Sequence, residues 1–218
     1  MIVTIDGPAG AGKSTVAREL ARRLGFSFLD TGAMYRAVAL AGLERGVDWS
    51  RPDQLARLAA ELDLRATGER IYLDGEDVSE TIRTTEVTAV TRYAADNPDV
   101  RRRLVVLQRA AAAGRNIVTE GRDQGTVVFP DAACKIFLTA SAEERARRRV
   151  RDLLAQGESV TLSEVLAAQG RRDREDATRA VGPLVPAADA IRVLTDGLTL
   201  AQVVDRIESL VRARSSES

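Results

Sequence analysis

Apolar and polar positions along the chain follow two alternating periods, which predict short buried strands and amphipathic helices in turn. The first residues, MIVTI, are a short apolar run of the kind that forms a buried strand. From Ser14 to Leu24 the apolar positions recur on one helical face, and Gly25 marks the end of that helix. Further strands are predicted at 26–30, 116–119, 135–138 and 190–194, and further helices at 31 to about 46, 53–62, 85–95, 99–113, 142–155, 163–169 and 200–212. This order predicts an α/β fold with a five-stranded parallel sheet flanked by helices.

Two segments depart from the plain alternation of strand and helix. The stretch RIYLDGEDV at 70–78 predicts a β-hairpin around the Asp74-Gly75 turn. A hairpin at this place indicates a subdomain inserted at about 35–100 into a single domain of residues 1–218. The helix from 142 is dense in arginine, and we expect the region of about 142–172 to form a lid.

Composition excludes several classes of function. The hydrophobic fraction is 44%, and no apolar run approaches the length of a membrane span, so we expect a soluble protein without a membrane partner. Cys134 is the only cysteine, which rules out an intrachain disulfide and fits a cytoplasmic setting. The absence of histidine removes histidine-based catalysis and histidine metal sites. A formal net charge of zero argues against a nucleic-acid partner.

A phosphate-binding loop follows the first predicted strand. The spacing Gly7-x-x-x-x-Gly12-Lys13-Ser14 lies between a strand and a helix, which is the context that this motif requires. Its glycines allow successive N–H groups to point at phosphate oxygens, and the helix N-terminus adds positive charge. We expect Lys13 to reach the β- and γ-phosphates, Ser14 to coordinate Mg²⁺ and Thr15 to reach the α-phosphate. The predicted nucleotide-binding residues are Gly7, Pro8, Ala9, Gly10, Ala11, Gly12, Lys13, Ser14 and Thr15.

The motif implies a nucleoside triphosphate and magnesium, but it leaves open whether water, a protein or a small molecule receives the phosphate. An anionic acceptor needs cations, and the planar fork of arginine matches phosphate oxygens. Arg36 begins a helix after the second strand, and Arg122 follows the third strand, where ligands bind in open α/β sheets. Arg172 and Arg179 lie two helical turns apart and share a face if this stretch is helical.

Seven blocks of sequence, in this order, resemble the bacterial-type cytidylate kinases, members of the nucleoside monophosphate kinase group. The blocks are TIDGPAGAGKST at 4–15, LDTGAMYR at 29–36, GEDVSETIRTTEV at 75–87, EGRDQGTVVFPDA at 120–132, KIFLTASAEERARRR at 135–149, RDREDATR at 172–179 and PLVPAADA at 183–190. The phosphate loop alone is common to many families, whereas the other blocks are specific. The resemblance covers nearly the whole chain.

The resemblance implies a P-loop kinase fold and ATP-dependent phosphorylation of CMP or dCMP by a cytoplasmic monomer. It makes the insertion a monophosphate-binding subdomain, and it makes Lys13, Arg122 and Arg179 catalytic. The implied contacts of the acceptor are Arg36, Arg122 and Arg179 at the monophosphate, Thr31 and Tyr35 as acceptor-site residues, Arg101, Asp123 and a hydroxyl residue near Thr91 at the cytosine, and Arg172 and Asp176 at the sugar.

Three alternatives stay open at this point. The nearest is another small-molecule kinase, such as a uridylate, adenylate or shikimate kinase, which the GRDQGT and RDREDATR blocks disfavour. The second is a nucleotide-sensing switch whose conformation a partner reads. The third is a DNA- or RNA-binding protein that uses its arginines, which zero net charge and few aromatic residues disfavour.

Overall fold

The computed structural model describes residues 1–155 and 157–215. Its strands are β1 (Ile2–Asp6), β2 (Ser27–Asp30), β3 (Leu64–Thr67), β4 (Arg70–Leu73), β5 (Glu76–Asp77), β6 (Ile117–Gly121), β7 (Cys134–Thr139) and β8 (Ile191–Leu194). Its helices are α1 (Lys13–Leu24), α2 (Thr31–Glu44), α3 (Pro52–Glu61), α4 (Thr85–Asp96), α5 (Pro98–Ala112), α6 (Ala142–Ala155), α7 (Leu162–Thr178) and α8 (Leu200–Ser215). A 3₁₀ turn at Thr81–Arg83 and a π-helical turn at Gln124–Val128 complete the regular structure.

Five strands form one sheet in the order β2-β6-β1-β7-β8. β1 pairs in parallel with β7, so that Val3 lies opposite Cys134. β7 pairs in parallel with β8, so that Ile136 lies opposite Ile191. Helices alternate with these strands along the chain, which confirms the predicted α/β fold.

The chain divides into two compact units. The first contains Met1–Phe26 and the chain from Val118 onward, and the second contains Ser27–Ile117. In the first unit, α1 and α8 pack together and α6 packs on α7. The largest side chains fully buried in this unit are aliphatic, and they include Ile5, Leu20, Ile136, Leu138 and Ile207. This core holds the strand ends from which the phosphate loop and the other loops of the unit begin.

The second unit contains a three-stranded antiparallel sheet, β3-β4-β5, and the helices α2 to α5. Asp74 and Gly75 join β4 to β5 with φ values of 50° and 92°. A tight hairpin turn of this kind needs positive φ at both central residues, which aspartate and glycine tolerate. The hairpin prediction is confirmed, and β3 adds a third strand that the turn alone did not indicate.

Helix α7 is longer than the sequence pattern predicted. The pattern indicated a helix at 163–169, whereas α7 continues to Thr178 and includes most of the block RDREDATR. A capping box begins the helix, because Thr161 Oγ1 accepts a hydrogen bond from the N–H of Glu164, whose carboxylate accepts one from the N–H of Thr161. Arg179 is the residue at which the helix ends.

No helix within residues 1–155 and 157–215 has both the length and the apolar composition needed to cross a membrane. The end that the sequence predicted to fray, SSES at 215–218, lies outside the described residues except for Ser215, where α8 ends.

Candidate active site

The phosphate loop connects β1 to α1 in the first unit. Gly7, Gly10 and Gly12 all have positive φ, at 154°, 76° and 87°. A Cβ atom at Gly7 would lie 1.9 Å from the carbonyl oxygen of Leu138 in β7, so only glycine fits there. The loop therefore lies directly against the neighbouring strand of the sheet.

Lys13 is buried at the start of α1, and its ammonium donates a hydrogen bond to the carbonyl oxygen of Pro8 at 3.0 Å. Burial and the nearby charge of Arg122 lower the pKa of Lys13 to about 7, although Glu120 and Asp6 oppose this effect. Contact with phosphate oxygens would favour the charged form of this lysine.

Ser14 and Glu120 form the part of the site that suits a magnesium ion. The Ser14 hydroxyl donates a hydrogen bond to Oε1 of Glu120 at 3.0 Å, and Glu120 is buried near the end of β6. A hydroxyl and a carboxylate are the hard oxygen ligands that Mg²⁺ prefers. Within the described residues no three acidic, cysteine or histidine side chains lie together as a metal cluster. An ion held here would complete its coordination with water and phosphate oxygens, as Mg²⁺ commonly does.

Glu120 had no assigned role in the sequence analysis. Its position at the end of a predicted core strand was a usable signal, because ligands gather beyond the carboxyl ends of parallel strands.

Asp6, the last residue of β1, fixes the turn that follows Asp123. Its two carboxylate oxygens accept hydrogen bonds from the backbone N–H groups of Gln124 at 2.8 Å and Gly125 at 2.7 Å. Burial raises the pKa of Asp6 to about 6; the two backbone hydrogen bonds oppose this, and the charge of Asp123 adds to it. Sequence reasoning missed this contact, because it joins residues far apart in the chain.

Asp176 of α7 holds together two of the predicted phosphate-binding arginines. Its Oδ2 accepts a hydrogen bond from Nε of Arg122 at 2.8 Å, and its Oδ1 accepts one from Nη2 of Arg179 at 2.7 Å. Burial alone would raise the pKa of Asp176, but the charges of Arg122, Arg179 and Arg172 outweigh it and keep this pKa below its usual value. The structure thus brings Arg122 and Arg179 together around one ionised carboxylate.

The remaining predicted residues of the first unit lie close to this group. Arg172 is exposed on α7, and its charge lowers the pKa values of both Lys13 and Asp176. Asp123 is buried where the π-helical turn begins, and its backbone carbonyl accepts hydrogen bonds from the N–H groups of Val127 and Val128. The first unit therefore gathers the phosphate loop with the predicted residues of the 120–132 and 172–179 blocks.

In the second unit, Tyr35 and Arg101 are in contact. The Arg101 guanidinium lies over the Tyr35 ring at 5.5 Å from its centroid, and Nη1 of Arg101 donates to the carbonyl oxygen of Ala95 at 3.0 Å. Both side chains are buried, as is Thr31 at the start of α2. A buried arginine held over an aromatic ring is fixed in direction, which suits recognition of a planar group.

The other predicted residues of this unit are Arg36, which contacts α4, and Thr91, which belongs to α4. Nη1 of Arg36 donates to Oγ1 of Thr88 at 2.7 Å and to the carbonyl oxygen of Ile82 at 3.3 Å. The Thr91 hydroxyl donates to the carbonyl oxygen of Val87 at 2.7 Å, within its own helix. Thr88, one helical turn before Thr91, is a partner of Arg36 that the sequence analysis did not identify.

One arginine of the predicted lid lies beside the phosphate loop. Arg148 in α6 donates to Oγ1 and to the carbonyl oxygen of Thr195, both at 3.1 Å, and forms an ion pair with Glu144. Its Nη1 lies 3.9 Å from the position that a Cβ at Gly12 would occupy. Arg148 therefore binds the stretch after β8 at a place close to the loop, which the sequence alone did not indicate.

Comparison with known proteins identifies the family of this chain. A family model described as "Cytidylate kinase" matches residues 3–213. The chain belongs to the cytidylate kinase family. A protein named "Cytidylate kinase" from Rhodopirellula baltica is 56% identical over 212 residues, which cover 97% of this chain and 93% of that protein. Another of that name, from Pelotomaculum thermopropionicum, is 52% identical over 220 residues, which cover 99% and 97%.

Solved structures are similar in fold at much lower identity. A shikimate kinase from Bacteroides thetaiotaomicron has a TM-score of 0.50 and 15% identity, and the similarity covers 97% of this chain and 98% of that one. A likeness at this identity concerns the fold alone. The cytidylate kinase family member described here therefore has a P-loop kinase fold, as its resemblance to that family implied.

Proposed function

We propose that this member of the cytidylate kinase family transfers the γ-phosphoryl group of ATP to CMP and dCMP, giving ADP with CDP or dCDP. The observation that carries this proposal is the family match across residues 3–213, in a chain whose phosphate loop is intact. The acceptor phosphate oxygen forms a bond to the γ-phosphorus while the bond to the β,γ-bridging oxygen breaks. The acceptor oxygen is already anionic, so no general base is needed and none is assigned.

On the donor side, the loop at Gly7 to Thr15 is proposed to hold ATP. Lys13 and the loop N–H groups would neutralise charge on the β- and γ-phosphates, which is the main contribution a protein makes to phosphoryl transfer. Ser14, supported by Glu120 at 3.0 Å, would hold Mg²⁺. The bound ion supplies further charge neutralisation on those phosphates.

On the acceptor side, Arg122 and Arg179 are proposed to bind the monophosphate while Asp176 orients them. Each arginine has five N–H donors, and the contacts with Asp176 engage Nε of Arg122 and Nη2 of Arg179. An ionised carboxylate that holds both guanidinium groups fixes their direction, which suits contact with phosphate oxygens. In the second unit, Arg36 is proposed to bind a monophosphate, and Thr31 and Tyr35 are proposed as acceptor-site residues.

Contacts with the nucleoside are proposed for each unit by itself. Asp123 can accept a hydrogen bond from the cytosine amino group, whereas uracil presents a carbonyl oxygen to the same carboxylate. Arg101 and Thr91 are proposed to contact the base, and Arg172 and Asp176 the sugar.

We propose the following organisation for the working enzyme. The insertion at about 35–100, which falls within the unit Ser27–Ile117, would bind the monophosphate, and the region of about 142–172 would act as a lid. A cytoplasmic monomer without nucleic-acid or membrane partners fits small-molecule substrates and a chain with one cysteine. Size-exclusion chromatography with light scattering tests the oligomeric state directly.

An ADP-release assay tests the proposed function. ATP and Mg²⁺ are supplied with CMP, dCMP, UMP, AMP or shikimate in turn, and Lys13→Met serves as the background control. Rapid ADP release with CMP and dCMP only is the expected result. Activity with UMP or AMP instead would keep the kinase but reject the base assignment. Binding of ATP without acceptor-dependent release would favour a nucleotide-sensing switch.

A further inference from the structure

Arg145 differs from the other arginines of α6 in being buried. Its side chain is 7% exposed, whereas that of Arg147, on the same helix and paired with Glu143, is 58% exposed. A buried guanidinium has lost its hydration, so its hydrogen bonds to protein groups must replace the lost water.

The hydrogen bonds of Arg145 reach three separate places in the first unit. Nε donates to the carbonyl oxygen of Ala140 at 3.1 Å, and Nη1 donates to the carbonyl oxygen of Ala9 at 3.0 Å. Nη1 and Nη2 also donate to the two carboxylate oxygens of Asp173, at 3.2 Å and 2.7 Å. These contacts engage four of the five N–H donors of the guanidinium. Arg145 is thus committed to protein acceptors, unlike a lid arginine that binds a triphosphate.

The contact with Ala9 controls the direction of a backbone N–H in the phosphate loop. The peptide bond between Ala9 and Gly10 is trans and planar, so its C=O and N–H point in opposite directions. With the carbonyl held by Arg145, the N–H of Gly10 must point away from Arg145. A Cβ at Gly10 would lie 3.3 Å from Cβ of Arg145, so α6 packs closely against this peptide. A phosphate loop binds its ligand through the direction of such N–H groups.

The contact with Asp173 controls the rotation of α7. Asp173 directly follows Arg172 and precedes Asp176 by three residues, close to one helical turn. A bidentate contact fixes a carboxylate in two directions, so it sets which way this part of α7 faces. Asp176 in turn holds Arg122 and Arg179.

We propose that Arg145 is a positioning residue, which orients the donor loop through Ala9 and the acceptor-binding part of α7 through Asp173. Neither role requires Arg145 to touch ATP or CMP. One side chain thereby aligns the two substrates that must react.

Four variants test the two contacts separately. They are Arg145→Met, Asp173→Asn, the double variant, and Arg212→Met as the control at an exposed arginine of α8, which forms an ion pair with Glu208 of the same helix. KM for ATP, KM for CMP, kcat and the melting temperature are measured for each. Asp173→Asn should raise KM for CMP roughly tenfold while KM for ATP stays within about twofold, because the Ala9 contact remains. Arg145→Met should raise both KM values roughly tenfold.

The double variant should match Arg145→Met in its KM for CMP, because the two changes remove the same contact. Arg212→Met should behave as the unmutated protein. If Arg145→Met does not fold, Arg145→Lys replaces it, since lysine keeps the charge but cannot serve Ala9 and both oxygens of Asp173.

Three outcomes would overturn the inference: a fall in melting temperature with both KM values unchanged, an equal rise in both KM values for Asp173→Asn, or additive effects in the double variant. The inference rests on the proposed function, and an assay of the unmutated protein distinguishes failure of the function from failure of the inference. No transfer to CMP by the unmutated protein would reject the function, whereas normal transfer without the KM pattern would reject only the role of Arg145.

Discussion

Buried carboxylates in the first unit differ in pKa because their partners differ. Asp6 is held by two backbone N–H groups, and burial raises its pKa to about 6. Asp176 is also buried, but arginine charges keep its pKa low. Neutral donors do not fully offset the cost of burying a charge, whereas guanidinium groups do.

The raised pKa of Asp6 predicts a pH dependence of stability. The usual pKa of this carboxyl is 3.8, so between that pH and about 6 the folded protein holds a proton that the unfolded chain has lost. Raising the pH from about 4 to about 7 should therefore lower the free energy of unfolding, by up to about 3 kcal/mol from this group. Urea unfolding of the protein and of Asp6→Asn across this range measures the difference.

The stability advantage of the unmutated protein over Asp6→Asn should shrink as the pH rises. Asp189→Asn is a control that should show little pH dependence over this range, because the hydrogen bond from Lys135 lowers the pKa of Asp189 below its usual 3.8. Parallel curves for the protein and Asp6→Asn would contradict the prediction.

Asp123 carries the prediction on base choice. Replacing its carboxylate by an amide in Asp123→Asn supplies an N–H that can donate to the uracil carbonyl oxygen. The ratio of kcat/KM for CMP over UMP should then fall by roughly tenfold or more. Steady-state kinetics with both acceptors measures it, and Asp131→Asn, an exposed aspartate of the same segment, is the control. An unchanged ratio would remove Asp123 from base recognition.

At the scale of elements, Gly42 in α2 is packed against a side chain that cannot easily move. A Cβ at Gly42 would lie 2.7 Å from Cη2 of Trp49, whose ring stacks on Tyr93 with centroids 5.2 Å apart. Alanine normally favours a helix over glycine by about 1 kcal/mol, but overpacking costs about 1–3 kcal/mol.

Gly42→Ala should therefore lower the free energy of unfolding by about 1 kcal/mol or more, measured by urea unfolding. Gly32→Ala is the matched control in the same helix, because a Cβ there would meet only Asp30 Oδ1 at 3.4 Å. A stabilised Gly42→Ala variant would mean that Trp49 can move aside at little cost.

The sequence predicted those elements whose pattern is local. The strands of the five-stranded sheet, the Asp74-Gly75 turn and the phosphate loop follow from periods and turn residues within a few positions. The second half of α7 was not predicted, because GRRDREDAT has almost no apolar residues that could show a helical period. The contacts of Ser14 with Glu120, of Asp6 with Gln124 and of Arg145 with Ala9 were not predicted either. Each of them joins residues more than a hundred positions apart in the chain.

At the scale of the whole molecule, 32 basic and 32 acidic residues cancel. Many exposed arginines also lie next to carboxylates; examples are Arg57 with Asp53, Arg147 with Glu143 and Arg212 with Glu208. Such paired charges produce little net field for a polyanion to follow.

We therefore expect no binding of a labelled single-stranded oligonucleotide at physiological salt, measured by fluorescence anisotropy. Non-specific binders reach dissociation constants of about 10⁻⁴ to 10⁻⁶ M under these conditions, with strong salt dependence. Binding in that range, weakened steeply by added salt, would return the nucleic-acid alternative to consideration.

The position of Cys134 gives this chain an internal reporter. The only cysteine lies at the start of β7, opposite Val3 of β1, and burial raises the pKa of its thiol. A thiol-reactive dye therefore finds no accessible target until the middle of the sheet separates. The rate of labelling would therefore measure how often the sheet opens, without any substitution in the sequence. A nucleotide that binds the folded protein should slow the labelling, so the assay would identify ligands without a measurement of activity.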